Sequence, residues 1–132
     1  MIRIDRIDHV VLTVTDIEET CDFYSRVLGM EVVTFDNGRR TLRFGKEKIN
    51  LHRADSLIAP HAARPTAGAA DLCFVTGTPI PEVAAHLTEC GVAIVEGPVP
   101  RTGALGGMNS IYFRDPDSNL IEVSNYQRDA KE

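Results

Sequence analysis

From Ile7 to Val14 apolar and polar positions alternate on a β-branched background, and this period of two predicts a strand. Val10, Leu12 and Val14 then share one face, and His9, Val11 and Thr13 the other. At Asp16 the period lengthens. Ile17, Cys21, Tyr24 and Leu28 recur at helical spacing, Asp16 is a suitable N-cap with Glu19 three residues on, and Gly29 is a suitable C-terminal cap. Strands are predicted next over Glu31 to Phe35, Arg40 to Phe44 and Lys48 to His52, separated by turn residues at Asn37-Gly38 and Gly45.

Residues 55–68 lose all periodicity and are rich in Ala, Pro, His and Arg, which predicts a linker. The same order of elements then returns. Asp71 to Val75 reads as a strand. Pro79 and Pro81 mark the entry to a helix whose face is Val83, Leu87 and Cys90 and whose end is Gly91. Val92 to Val95 reads as a strand and Pro100 to Gly107 as a glycine-rich loop, expected to act as a mobile lid over its Gly103–Gly107 stretch. Strands over Ser110 to Arg114 and Leu120 to Asn125 flank the tight turn Asp115-Pro116-Asp117-Ser118-Asn119. The repeat predicts an α+β fold of two paired βαβββ modules, residues 4–54 and 69–127, in one domain spanning 1–132. The expected shape is a curved, incompletely closed eight-stranded barrel with its helices outside.

The chain has 132 residues, 43% of them hydrophobic, enough to build a core. A net charge of −5 disfavours a nucleic-acid partner. No apolar run reaches the ~20 residues of a membrane span, and Met1 to Arg6 carries an early Asp and no apolar core, so neither a membrane anchor nor a signal peptide is expected. Cys21, Cys73 and Cys90 are odd in number and form no CxxC pair, which disfavours disulfides and thiolate zinc sites and predicts small buried hydrophobes. A cytoplasmic location follows as the expectation.

The repeat also carries the candidate chemistry. Laid over each other, the two halves match His9 with Asp71 and His52 with Glu122. If each helix covers the face of Val10, Leu12 and Val14 or of Ile121 and Val123, the opposite faces hold His9, His52, Asp71, Glu122 and Ser124. Two imidazoles and two carboxylates suit a divalent cation such as Zn, Ni, Fe, Mn or Co, and two His with one carboxylate also fit non-haem Fe(II). The short Asp71 side chain is the weak member of the set, expected to reach such an ion only through water or to hold a neighbouring ligand in place. Arg101, Tyr112 and Arg114 are candidates for holding an anionic substrate. His61 and His86 read as surface residues.

The segments His9-Val10-Val11-Leu12-Thr13-Val14, Phe23 to Met30 and Tyr112 to Val123 resemble the vicinal oxygen chelate superfamily, which includes glyoxalase I, bleomycin-resistance proteins, fosfomycin-resistance enzymes and extradiol dioxygenases. Lys48 to His52, Arg64-Pro65-Thr66 and Glu96 to Gly103 are similar to small glyoxalase-domain-containing proteins. The resemblance spans nearly the whole chain. It implies a metal cleft, a small-molecule substrate and a homodimer, with His9, His52 and Glu122 at metal positions. Asp71 departs from the usual His or Glu, and Ser118 replaces the customary Gly of its turn, which predicts slight strain there. The activity it implies is that of a metal-dependent lyase or isomerase that stabilises an enediolate, with Glu122 as base. The alternatives are an extradiol dioxygenase using His9, His52 and Glu122 on Fe(II), a binder that sequesters a drug or metabolite without catalysis, and thiol transfer to fosfomycin.

Overall fold

The computed structural model describes residues 1–127, which fall into two compact units divided after Gly68. The first runs β1 (His9–Val14), α1 (Ile17–Leu28), β2 (Glu31–Phe35), β3 (Arg39–Phe44) and β4 (Glu47–Arg53). The second runs β5 (Asp71–Val75), α2 (Ile80–Glu89), β6 (Ile94–Gly103), β7 (Gly106–Arg114) and β8 (Leu120–Tyr126). Each is a βαβββ module with one four-stranded mixed sheet, ordered β1-β4-β3-β2 in the first and β5-β8-β7-β6 in the second. The first strand of each module lies parallel to the last, and the other pairs are antiparallel. Among the described residues no helix is long and apolar enough to cross a membrane.

Local chemistry sets the helix ends. Asp16 accepts a hydrogen bond from the Glu19 backbone N–H at 2.9 Å, and Gly29 ends α1 in the left-handed region at φ 68°. The apolar stripe of α1 buries Cys21, Tyr24 and Val27, and the sheet supplies buried Leu12, Val14, Leu42, Ile49 and Leu51. Each such burial stabilises by about 1.5–3 kcal/mol before chain entropy is counted. In the second unit Ile80, Leu87, Ile111, Phe113, Ile121 and Val123 are buried. α2 starts after Pro79, which has no capping side chain. Asn125 of β8 substitutes for it: its Oδ1 accepts from Ile80 N–H at 2.9 Å while its Nδ2 donates to Thr76 and Thr78 carbonyls.

The turn between β7 and β8 is a buried polar knot. Asp115 Oδ1 accepts from the N–H groups of Asp117 and Asn119, and its Oδ2 accepts from Asn119 Nδ2 at 2.9 Å. Asn119 Oδ1 in turn accepts from Ala70 N–H at 2.8 Å, which ties the turn to the start of β5. Asn119→Ala would remove a hydrogen bond to the buried Asp115 carboxylate and the acceptor of the Ala70 N–H, so urea unfolding is expected to show a loss of about 2–3 kcal/mol. Ser118 sits at φ 67°, as its place in the turn implied. Ser118→Gly relieves that conformation and is expected to raise the unfolding free energy by about 1 kcal/mol in the same assay.

Two expectations are corrected. Most of the loop expected over Pro100 to Gly107 is strand: β6 runs on to Gly103, with register shifts at Ile94/Glu96 and Glu96/Val99, and β7 begins at Gly106. Pro98 and Pro100 erase the alternating signal and lack N–H donors, but β6 is an edge strand, where proline is tolerated. Gly103 ends β6 and Gly106 begins β7, so the stretch expected as a lid forms a hairpin, with Leu105 N–H donating to Tyr126 Oη at 3.1 Å. The cysteine expectation holds only for buried Cys21; Cys73 is exposed and Cys90 half-buried.

Candidate functional site

In the second unit the side chains of β5, β8 and β7 that point away from Ile121 and Val123 line a cleft of about 520 Å³. Cys73, Tyr112 and Glu122 form one row across the sheet, because Cys73 pairs with Glu122 and Tyr112 pairs with Glu122 in register. Arg101, Met108 and Tyr126 complete much of the lining. Arg101 Nε donates to Tyr112 Oη at 2.9 Å, its guanidinium lies 5.3 Å from the Tyr112 ring centre, and its Nη2 meets Glu96 at 3.0 Å.

A short relay ends at the carboxylate. Ser110 and Ser124 hydroxyls lie 2.6 Å apart and are fully buried, and Ser124 Oγ donates to Glu122 Oε2 at 3.3 Å. Cys73 Sγ lies 3.4 Å from Ser124 Oγ. Burial raises the Cys73 thiol above its ordinary pKa; Ser124 opposes the shift and the charge of Glu122 adds to it. Burial likewise raises the Tyr112 phenol, against the hydrogen bond from Arg101 and with the help of Glu122. Both groups are therefore protonated near neutral pH, and Tyr112 can accept from Arg101 and still donate its own proton.

Arg101, Tyr112 and Glu122 thus line one cleft. Arg114 shares their face by parity but lies outside the cleft lining, exposed and donating to Ser118 O at 3.3 Å. Asp71 is exposed at the start of β5, opposite Leu120 and diagonal to Glu122. Cys73 and Ser110 went unread as site residues, although both share the parity of groups already placed on this face.

In the first unit His9, Asn50 and His52 lie on the face opposite Leu12, Ile49 and Leu51. His9 is exposed, and its Nδ1 lies 2.8 Å from the Asp8 carboxylate, which leaves Nε2 as the ring nitrogen not engaged by Asp8. The hydrogen bond with His9 lowers the Asp8 carboxyl below its ordinary pKa. His52 is buried, its Nε2 has no hydrogen-bond partner, and burial followed by the charges of Arg39 and His61 lowers its pKa.

Register alters the expected match between halves. His9 stands opposite Lys48 and Asp71 opposite Leu120, so these two are equivalent as expected. Val11 stands opposite Asn50 and Cys73 opposite Glu122, so the counterpart of Glu122 is Asn50; His52 is the counterpart of Ser124. His9 and His52 are not brought together. His52 pairs with Thr13, four residues beyond His9, which separates them by roughly 13 Å along the strands. Donors to one zinc lie within about 4 Å of each other. Within neither unit do three or more His, Cys, Asp or Glu side chains among the described residues gather closely enough to hold a metal ion.

His61 and His86 are exposed, as expected. The family model of the Glyoxalase/Bleomycin resistance protein/Dioxygenase superfamily matches residues 6–123. The chain is 58% identical over 123 residues to virulence protein STM3117 of Salmonella typhimurium, covering 93% of this chain and 85% of that protein. It is 54% identical over 125 residues to the glyoxalase domain-containing protein RDO1 of Mycosarcoma maydis, covering 95% of this chain and 70% of that protein. The crystal structure of STM3117 superposes with a TM-score of 0.94 at 56% identity, covering 96% of this chain and 100% of that one. An integron cassette protein of V. cholerae gives 0.94 at 51% identity, with 96% and 99% covered.

Proposed function

Because the chain belongs to the Glyoxalase/Bleomycin resistance protein/Dioxygenase superfamily, we propose that it is a metal-dependent lyase or isomerase of the glyoxalase type, acting on a small substrate with two neighbouring oxygens. The observation that carries this reading is the position of Glu122 in a cleft of about 520 Å³, steadied by Ser124 and flanked by Tyr112 and Arg101.

Of the candidate metal ligands, Glu122 stands in the cleft of the second unit with Asp71 on the same face of its sheet, and His9 stands on the first strand of the first unit. His9 fits the role because Asp8 holds its Nδ1 and leaves Nε2 to act as donor. His52 is dropped, since the register sets it apart from His9. A nitrogen-and-carboxylate set suits Zn, Ni, Fe, Mn or Co. When bound, such an ion supplies Lewis-acid polarisation of the substrate oxygens.

The chain's own residues do the rest. Glu122 takes the proton from a carbon beside the substrate carbonyl and returns it to the neighbouring carbon. Ser124 orients the carboxylate for both transfers. Tyr112, kept protonated, donates to the oxygen on which negative charge develops, and Arg101 holds Tyr112 in place while adding positive charge to the cleft. A homodimer is the proposed working assembly, to be read from the mass in light scattering.

The test is turnover by protein loaded separately with Zn, Ni, Mn, Fe or Co. A thiohemiacetal panel followed by ultraviolet absorbance is expected to show isomerisation with at least one metal. Oxygen uptake with catechols and no thiohemiacetal turnover would replace this reading with the dioxygenase. Saturable ligand binding without either reaction would replace it with the sequestering binder.

A further inference from the structure

The face of the first unit opposite Leu12, Ile49 and Leu51 carries a concentration of polar groups. Thr41 pairs with Asn50, and Arg39 and His52 extend β3 and β4 by two residues each, which keeps them on that same face. Phe35 pairs with Arg39 and so joins them. The Arg39 guanidinium carbon lies 5.2 Å and the Lys48 ammonium 4.7 Å from the centre of the Phe35 ring, which places the two cations within 10 Å of each other.

Neither cation forms an ion pair among the described residues, whereas Arg6, Arg26, Arg40, Arg43, Arg53 and Arg101 all do. Beside them two buried side chains each carry one polar atom without a partner. Asn50 is 8% and His52 6% exposed, and Asn50 Oδ1 and His52 Nε2 have no hydrogen bond. An unpartnered buried polar atom costs about 1–3 kcal/mol, so two on one face, next to two cations that make no ion pair at contact distance, is an arrangement that a ligand would complete.

The chemistry of the missing partner can be read from the groups. Arg39 and Lys48 ask for an anionic oxygen. A neutral His52 protonated on Nε2 can donate to the same anion, and Asn50 Oδ1 accepts and therefore asks for a hydroxyl. We propose that this face of the first unit is a binding subsite for a short hydroxy-carboxylate group, its carboxylate on Arg39, Lys48 and His52 and its hydroxyl donating to Asn50. The proposal deepens the reading above by naming the substrate as an organic acid, and rests on that reading only for the chemistry that follows binding.

Binding alone tests it, in chelator-treated full-length protein, so that a failed metal reading leaves the outcome intact. Calorimetric titration with glycolate or lactate is expected to saturate, with weaker binding of acetate or propionate, which lack the hydroxyl. The Arg39→Gln/Lys48→Gln double variant, checked for folding by circular dichroism, is expected to bind about tenfold or more weakly, and Arg26→Gln on the exposed face of α1 unchanged. Equal affinity with and without the hydroxyl removes the assigned role of Asn50. No saturation below about 10 mM, full affinity in the double variant, or binding of inorganic phosphate in place of the carboxylates would overturn the subsite.

Discussion

Glu122→Gln is expected to lower kcat by about 10²–10⁴-fold on any thiohemiacetal the wild type turns over. The substitution keeps the length of the side chain and an oxygen to accept from Ser124 Oγ, so the sheet should be undisturbed. What it removes is the basic oxygen. Since Glu122 is only half-buried and sits between buried Ile121 and Val123, which face the other way, the loss should appear in turnover and not in unfolding. A kcat within about twofold of wild type in fully metal-loaded protein would assign the proton transfer to another group.

Gly97→Ala is expected to be the most damaging single substitution for stability. Gly97 lies at φ 111°, where an L side chain is strained. A Cβ there would stand 2.5 Å from the Ser110 carbonyl oxygen and 2.9 Å from Ile111 Cα, both backbone atoms of the neighbouring strand β7. Neither can swing aside without parting β6 from β7. Overpacking and left-handed strain together suggest a loss of about 3–5 kcal/mol in urea unfolding, enough to leave much of the protein unfolded or insoluble. A loss under about 1 kcal/mol would mean that β6 is free to move away. Because Ser110 begins the relay to Glu122, surviving protein should also show weakened activity.

Much of the architecture was legible from periodicity. β2 and β5 begin and end where alternation places them, and α1 starts at Asp16 and stops at Gly29 because capping chemistry is local and visible. The faces of β1 and β8 followed from parity: Leu12, Val14, Ile121 and Val123 are buried. β6 was obscured because two prolines interrupt its pattern, and only its position at the sheet edge makes them acceptable. The site was legible in its chemistry and less so in its register. A slip of two residues along a strand preserves the face, so no hydrophobic pattern separates His52 from Asn50 as the counterpart of Glu122. Cys73 was passed over for a different reason. As a residue type cysteine is usually buried, but its parity with Asp71 on β5 puts it on the cleft face.

The most direct test of the account is metal content by elemental analysis, on protein purified without chelator and then soaked in Zn, Ni, Mn, Fe or Co and desalted. Close to one equivalent of divalent metal per chain is expected in the wild type, with a large loss in both His9→Ala and Glu122→Ala and retention in His52→Ala. Less than about a tenth of an equivalent in the soaked wild type, or full occupancy in the His9 and Glu122 variants, would contradict it.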